Sequence, residues 1–315
     1  MKIKELNCWI VCEEHLIGTK NQCLGIAEAL GVKPKFISPI LKQPWKSLSP
    51  YLGFESSWCF ANPMSPPWPD LVIAGGRKSI AASKYIKRAS GGKCFTVQVQ
   101  DPRISSRHFD LVAAPAHDPI RGSNVIQTQA TPNRISKEIL EEARAQFATF
   151  EKLPQPRVAV LIGGSSKAYT LTHDIMTKLS LHLSRLKDVS LMITTSRRTG
   201  AENEQILKDH INMDKHFLWD GHGPNPYFGI LAFADFILVT ADSASMLSEA
   251  CTTGKPVYMI HLDGGHPRID KLHQNLQELG CIRKFEGQLE HWDYEALNDA
   301  AMVAQEIKKR IKINE

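Results

Sequence analysis

The sequence of 315 residues has no long apolar run, no CxxC pair and no dense cluster of basic residues. Its seven cysteines, an odd number, are scattered without clustered histidines, so we expect reduced thiols, a cytoplasmic protein and no metal site. The most apolar stretch, residues 227–241, is interrupted by Asp235 and is shorter than the roughly 20 residues that span a bilayer. The apolar run between Glu5 and Glu13 is too short for a signal peptide. These absences predict a protein that neither crosses a membrane nor is exported.

The chain also lacks a strong net charge. The formal charge is +5, and the lysines and arginines are not clustered as in nucleic-acid-binding proteins. We therefore expect no nucleic-acid partner, whereas the mild basicity favours anionic small molecules or a peripheral contact with a membrane surface. The hydrophobic content of 43% and charged content of 23% are those of an average globular protein, so the chain is able to bury a sizeable core.

Short apolar runs alternate with amphipathic segments along the whole chain, a pattern typical of strand–helix–strand units and a parallel sheet. We predict two doubly wound α/β domains, residues 1–153 and 154–315, that meet at a Pro-rich linker and have a cleft between them. The last amphipathic segment, residues 294–312, is expected to return to the first domain. Residues 44–69, rich in Pro, Trp and Ser, are predicted to form a long surface excursion with a short helix.

The pattern also places the individual elements. Strands are predicted at residues 8–11, 35–37, 71–74, 94–99, 111–113, 125–127, 157–162, 190–194, 217–219, 236–240 and 257–261. Helices are predicted at residues 21–30, 79–89, 136–152, 172–186, 202–210, 226–234 and 244–253.

Ligands of open α/β sheets bind beyond the carboxyl ends of the strands, so the loops there are the first candidates. In the second half, one strand is followed by Gly163, Gly164 and Ser165, where glycines would let the backbone approach a phosphate, unless they only form a tight turn. Another strand is followed by Arg197 and Arg198, whose guanidinium groups suit phosphate oxygens, unless they form a solvated basic turn.

A third loop carries the strongest signal. Ser243 is predicted to cap a helix of small residues, with Asp242 before it and Ser245 in its first turn. Glu249 lies about two turns along that helix, where its carboxylate would reach the two hydroxyls of a ribose.

Polar residues also follow strands of the first half, namely Gly76, Arg77, Gln98, Gln100, Asp101 and Arg103. Polar side chains at a sheet end are costly unless they have partners, and a second ligand would supply them. The alternative is that Asp101 starts a turn and that Gln98 packs at the rim. His15 follows the first strand, where a lone histidine is more often structural than catalytic.

Residues 240–256 resemble the donor-binding segment of the GT-B glycosyltransferases, with a small-residue loop, a helix with a glutamate, and Gly-x-Pro before a strand. Residues 163–165 look like the diphosphate loop of those enzymes. The resemblance implies two Rossmann-like domains and a sugar nucleotide that lies against Gly164, Ser165, Ser243, Ser245 and Glu249. The neighbouring loop residues Gly163, Arg197, Arg198 and Asp242 are candidates for the same nucleotide side.

A closer resemblance covers nearly the whole chain. It is to the bacterial proteins related to the plant mitochondrial-fission "elongated mitochondria" factor, and it is carried by Gly18, Asn21, Gln22 and residues 27–31, 75–77, 97–103, 160–164, 194–199, 219–221, 225–227 and 240–243. The chain departs from the family pattern at Thr19, where the family has Asn, and at Leu16, where it has a basic residue. The resemblance adds Asn225 to the nucleotide side, and Gly18 and Asn21 to the acceptor side.

Two functional hypotheses follow. The first is a GT-B-like transferase that holds a nucleoside-diphosphate sugar on the second domain and an unknown acceptor on the first, with Asp101 or His15 as general base. It needs no tightly bound cofactor, because arginines and helix N-termini stabilise a departing diphosphate. The second is a non-catalytic adaptor, since the plant branch of the family recruits a dynamin-like GTPase. A dehydrogenase or epimerase with a dinucleotide site is less favoured because the first strand–loop–helix lacks GxGxxG.

Overall fold

Residues 3–51, 56–212 and 215–311 are described from a computed structural model. The chain divides into two compact units. Unit 1 comprises Met1–Arg134 and Asn298–Glu315, and unit 2 comprises Ile135–Leu297. The division falls between residues 134 and 135 and not near residue 154, where the sequence analysis placed it.

Unit 1 is built on a parallel sheet of six strands in the order β2-β1-β3-β4-β5-β6. Its elements are β1 (Cys8–Val11), α1 (Ile17–Leu30), β2 (Pro34–Ile37), α2 (Trp45–Leu48), β3 (Leu71–Gly75), α3 (Ser79–Ala89), β4 (Phe95–Val99), β5 (Leu111–Pro115) and β6 (Val125–Thr128). Strands β1, β3 and β5 are buried along their whole length because side chains pack on both faces of the sheet. This burial explains why these strands are continuous apolar runs in the sequence.

Unit 2 repeats the architecture with a second parallel sheet of six strands, in the order β10-β9-β7-β11-β12-β14. Its elements are α4 (Lys137–Gln146), β7 (Arg157–Ile162), β8 (Tyr169–Thr170), α5 (His173–Arg185), β9 (Ser190–Thr195), α6 (Ala201–His210), β10 (Phe217–Leu218), α7 (Tyr227–Phe233), β11 (Phe236–Thr240), α8 (Ala244–Thr252), β12 (Val257–Ile260), β13 (Asp263–Gly264), α9 (Pro267–Glu278) and β14 (Ile282–Lys284). Helix α4 packs on α7, which is why it belongs to unit 2. The predicted class, two parallel α/β sheets, is confirmed.

The last helix, α10 (Asp299–Arg310), belongs to unit 1 and packs on α1. Val303, Ala304 and Ile307 enter the core that covers one face of the unit 1 sheet. At the start of the helix, the Asp299 carboxylate accepts hydrogen bonds from the backbone N–H groups of residues 129 and 130, at 2.8 and 2.9 Å. Burial raises the pKa of Asp299 to about 6, although these two donors act in the opposite direction.

The excursion between β2 and β3 folds back on itself. Leu41 forms an antiparallel bridge with Phe60, and both side chains are buried. The rings of Trp45 and Trp58 meet edge to face at 4.5 Å between centroids. The predicted excursion with a short helix is therefore present as α2, and its residues 52–55 lie outside the described residues.

The described helices include none that combines the length and the apolar character needed to span a bilayer. All seven cysteines are buried thiols.

Candidate functional site

Three loops meet at the carboxyl edge of the unit 2 sheet, where the neighbouring strands β9, β7 and β11 end. Gly163 N donates to Thr240 Oγ1 at 2.8 Å, and Gly164 N donates to Asp242 Oδ2 at 3.2 Å. On the other side, Ser165 N donates to the carbonyl of Arg198 at 3.1 Å. The loop after β7 is thus fixed between the loops after β11 and β9.

Both glycines of this loop are required by close packing of the neighbouring loops. A Cβ on Gly163 would lie 2.4 Å from Asp242 Oδ2, and a Cβ on Gly164 would lie 2.1 Å from the carbonyl oxygen of Arg198. Gly164 also has φ of +146°, a conformation that side chains disfavour. The amides of both glycines already donate within the protein, so the pair shapes the loop and its N–H groups point to protein acceptors.

Two hydroxyl groups fasten the loop after β9 to the carbonyl group of Gly163 in the loop after β7. Ser196 Oγ and Thr199 Oγ1 each lie 2.6 Å from the carbonyl oxygen of Gly163, to which they donate. The buried Asn203 of α6 donates from Nδ2 to the carbonyl of Thr199 at 2.9 Å. These two hydroxyl groups therefore hold the backbone that carries the two arginines.

The two arginines have different surroundings. Arg198 Nη2 lies 2.7 Å from Asp242 Oδ2, and the Asp242 side chain is completely buried. The other carboxylate oxygen, Asp242 Oδ1, is buried and accepts no hydrogen bond from the described residues. Arg197 is exposed, and nowhere in residues 3–51, 56–212 or 215–311 does a group pair with it. Of these two arginines, Arg197 is therefore the one whose guanidinium group faces solvent without a protein carboxylate beside it.

Helix α8 begins at this edge, as predicted. Ser243 Oγ accepts a hydrogen bond from Met246 N, and Ser245 lies half-buried in the first turn. The N–H groups of a first turn without backbone acceptors favour an anion.

Glu249 lies further along α8 and is buried, unlike the exposed Arg197. Its Oε2 accepts a hydrogen bond of 2.5 Å from Tyr227 Oη at the start of α7. Asn225 Oδ1 in turn accepts from Tyr227 N at 3.0 Å and so fixes the start of that helix. Burial raises the pKa of Tyr227 well above its ordinary value, and the neighbouring charge of Glu249 adds to this. Tyr227 therefore stays neutral and donates to the Glu249 carboxylate.

Sequence reasoning missed the helix that flanks this site. His273 of α9 places Nε2 3.0 Å from the carbonyl of Ala241, next to Asp242. Tyr169 Oη donates to Asp270 Oδ1 at 3.1 Å, and burial raises the pKa of Tyr169 to about 12. The sequence of α9 does carry helix signals. Ile269, Leu272 and Leu276 have helical spacing, Pro267 lies in the first turn, and Gly280 follows the end of the helix.

The polar residues of unit 1 follow the strands of its sheet but point in different directions. Gln98 is buried, and its Nε2 donates to the carbonyl of Val99 at 3.2 Å. Gln100 has φ of +70°, and its Nε2 reaches Gln22 Oε1 on α1 at 2.9 Å. Arg77 donates from Nη2 to the carbonyl of Lys46 at 3.2 Å and thereby contacts the excursion.

Asp101 and His15, the candidates for a general base, have structural surroundings. Asp101 Oδ1 accepts a hydrogen bond of 2.7 Å from Arg103 N, so Asp101 starts a turn, as the alternative interpretation had it. His15 is largely exposed, and its Nε2 lies 3.9 Å from Glu13 Oε1, which also forms an ion pair with Lys78. The catalytic roles of Asp101 and His15 stay predictions.

The remaining candidates of unit 1 lie near the same strand ends. Gly76 has φ of +87° directly after β3. Gly18 and Asn21 lie in the first two turns of α1, Gly18 exposed and Asn21 half-buried. Their place on an acceptor side stays a prediction.

The family described as "Mitochondrial fission ELM1" matches residues 17–311. The chain belongs to this family. The resemblance drawn from the sequence motifs is thereby confirmed.

Two relatives are similar to this chain over most of its length. "Mitochondrial fission protein ELM1" of Arabidopsis thaliana is 33% identical over 273 residues, which are 77% of this chain and 64% of the plant protein. The match therefore spans less than two thirds of the plant protein's length. "Uncharacterized protein RP120" of Rickettsia prowazekii (strain Madrid E) is 26% identical, over 98% of this chain and 99% of that protein.

Solved structures show the fold that this member of the ELM1 family shares. The UDP-GlcNAc 2-epimerase of Methanocaldococcus jannaschii, solved in complex with UDP-GlcNAc and UDP, superposes with a TM-score of 0.51 at 11% identity, over 96% of this chain and 99% of the epimerase. An identity this low concerns the fold alone, and it confirms the predicted GT-B-like fold.

Proposed function

We propose that unit 2 binds a nucleoside diphosphate and that the chain is a GT-B-like glycosyltransferase with a nucleoside-diphosphate sugar as donor. The observation that carries the proposal is Arg197, an exposed and unpaired guanidinium group on a loop that is rigidly fastened at the carboxyl edge of the sheet. A guanidinium group on a fixed loop at this edge suits phosphate oxygens, which it is able to bind through two parallel hydrogen bonds. The M. jannaschii epimerase, which has the same fold, was solved with UDP-GlcNAc and UDP.

The diphosphate would lie between Arg197 and the first turn of α8. Ser243 caps this turn and Ser245 lies in it, and the positive end of the helix dipole adds to the attraction. Ser165 accepts a hydrogen bond from Leu171 N through Oγ, so its hydroxyl hydrogen is directed elsewhere and would donate to a phosphate. In this proposal Gly163 and Gly164 contribute loop shape and no amide donors.

The ribose would lie deeper, at Glu249. Tyr227 holds the Glu249 carboxylate in one orientation through Oε2, and Asn225 holds Tyr227. A carboxylate that is fixed and buried before the ligand arrives accepts ribose hydroxyls at little entropic cost. The nucleotide side thus consists of a phosphate half on the exposed loop and a ribose half on the buried part of α8.

Isothermal titration of the full chain with UDP, GDP, CDP and dTDP, and with their sugars, tests the proposal. We expect at least one to bind, and Arg197→Ala to weaken binding about tenfold or more while the affinity for the nucleoside alone changes little. Arg185→Ala is the matched control, because Arg185 is an exposed arginine at the end of α5, at the opposite edge of the same sheet. Absence of binding to every one of these nucleotides by the folded protein would refute the proposal.

A second candidate function is the non-catalytic adaptor that recruits a dynamin-like GTPase. It is favoured by the pairing of site residues with one another, Arg198 with Asp242 and Glu249 with Tyr227. Such pairs would stabilise the loops at this edge of the sheet even if no ligand binds there. Capture of a purified dynamin-like GTPase by a chain that binds no nucleotide would support the adaptor, and capture that fails would leave it without support.

A further inference from the structure

Exposed apolar side chains are concentrated on one segment of unit 1. Eight large hydrophobic residues are well exposed among the described residues, and five of them lie within residues 36–58. They are Phe36 (44% exposed), Ile40 (56%), Leu48 (40%), Tyr51 (68%) and Trp58 (52%). Phe36 pairs with Ile10 and points to the α1 side of the sheet, where Lys20 Nζ lies 4.4 Å from its ring centre. The other four lie within the excursion, which packs on the opposite face of the sheet, and we call the surface that they form the excursion face. Exposed apolar clusters of this kind mark interaction surfaces.

The excursion face belongs to an ordered surface. Beneath it, Leu41 and Phe60 are buried and pair as an antiparallel bridge, which Lys42 N extends by donating to the carbonyl of Cys59 at 2.9 Å. Above it, the ring of Trp58 contacts that of Trp45. The segment that carries these exposed side chains is therefore anchored by buried residues.

Lysines predominate among the charged residues of this segment. Between Leu30 and Asp70 the sequence has four lysines, Lys33, Lys35, Lys42 and Lys46, and a single acidic residue, Glu55, which is outside the described residues. All four lysines are exposed.

We propose that the excursion face docks on the surface of an anionic lipid bilayer. Tyr and Trp favour the headgroup level of a bilayer, where an apolar ring and a polar atom are both accommodated, and isolated aliphatic side chains insert beside them. Lysines around them are attracted by anionic headgroups. The excess of lysines favours this partner, since described residues 31–51 and 56–69 offer no carboxylate to the lysines or arginines of a protein partner. The docking does not depend on the proposed nucleotide site, whose residues belong to unit 2.

Flotation of the full chain with lipid vesicles tests the proposal. We expect the protein to float with vesicles of phosphatidylcholine mixed with phosphatidylglycerol, and to remain largely unbound with phosphatidylcholine alone. The double variant Lys42→Ala/Lys46→Ala should partition roughly tenfold less or weaker still, because each lysine near an anionic surface adds to the attraction. The variant Ile40→Ser/Tyr51→Ser should also float less, whereas salt should weaken the wild-type binding.

Matched controls keep the result specific. Leu181→Ser/Lys187→Ala removes an exposed leucine and a lysine from unit 2 and should float like the wild type. Arg197→Ala should also float normally, so failure of the nucleotide proposal does not affect this test. Unchanged circular dichroism and thermal unfolding confirm that each variant is folded. A folded wild type that does not float with anionic vesicles overturns the proposal, as does equal loss in the control; binding of a soluble protein in place of vesicles would assign the face to a protein partner.

Discussion

The two neighbouring arginines after β9 should respond oppositely in stability and in ligand binding. Arg198→Ala removes the guanidinium group that lies 2.7 Å from Asp242 Oδ2 and leaves a completely buried carboxylate with the amide of Gly164 as its remaining donor at that oxygen. Arg197→Ala removes an exposed side chain to which no described group forms a hydrogen bond or ion pair. The same chemical change is thus made at adjacent positions, and only one of them breaks an ion pair.

The magnitude follows from the burial of the two partners. Breaking a fully buried pair by removing one partner costs about 3 to 5 kcal/mol, because the remaining charge stays buried and unpaired. The Arg198 side chain is 43% exposed, so solvent screens its attraction to Asp242 and a smaller loss, about 1 to 3 kcal/mol, is expected. Arg197→Ala should change the free energy of unfolding by no more than about 0.5 kcal/mol.

Urea unfolding at neutral pH, followed by circular dichroism, measures both changes. Asp242→Asn combined with Arg198→Ala should recover part of the loss, since the double variant leaves no unpaired buried charge. Equal destabilisation by Arg197→Ala and Arg198→Ala would refute the reasoning. It would also be refuted if the double variant lost as much stability as Arg198→Ala and Asp242→Asn lose separately when added together.

Three further predictions concern stability. Tyr227→Phe should lower the free energy of unfolding by about 1 to 3 kcal/mol, since it removes the donor to the Glu249 carboxylate, and its effect should shrink in a Glu249→Gln background in urea unfolding. Gly164→Ala should cost at least about 2 kcal/mol because of its φ and the carbonyl 2.1 Å from the added Cβ, whereas Gly221→Ala, with a positive φ but open space, should cost only about 1 kcal/mol in the same assay. The pKa of Asp299 is raised in the folded protein from 3.8 to about 6, so its contribution to stability is fully present below about pH 4 and is lost as the pH rises through 6. The difference between wild type and Asp299→Asn should therefore change by up to about 3 kcal/mol over this range, and a pH-independent difference would contradict the assignment.

Much of the fold was readable because burial on both faces makes the strands short apolar runs with turn signals around them. Strand β7, with all of its residues buried, was predicted with its exact bounds, as was β11. Helix α9 was missed because its few apolar residues are separated by many charged and polar ones. The strand that follows it, β14, has only three residues and so gives no clear signal that a helix precedes it. A short edge strand carries too few side chains to register as a periodic pattern.

The candidate site was readable as a location but not as a set of contacts. Parallel strands bring their following loops to one edge, so the loops after β7, β9 and β11 were expected to be neighbours. The sequence does not show that Gly164 is needed for close approach to Arg198, nor that Glu249 meets Tyr227, which lies 22 residues earlier. Such pairings depend on the distance between neighbouring loops, which side-chain identity alone does not fix.

A similar limit applies in unit 1, where the φ angle of Gln100 turns its side chain away from that of Gln98. Gln98 and Gln100 have the same parity along β4, and alternation would put them on one face. The positive φ at Gln100 turns its side chain to Gln22 on α1 instead. A glutamine in this conformation has no recognisable sequence signal, because the left-handed region is commonly occupied by Gly or Asn.

Amide hydrogen exchange of the full chain with and without saturating nucleoside diphosphate tests the central claim most directly. The proposal predicts slower exchange in the loops at residues 163–167 and 196–200 and in the first turn of α8, with the effect on these loops lost in Arg197→Ala and retained in Arg185→Ala. Protection that is absent from these segments, or that falls only on unit 1, would contradict a nucleotide site on unit 2.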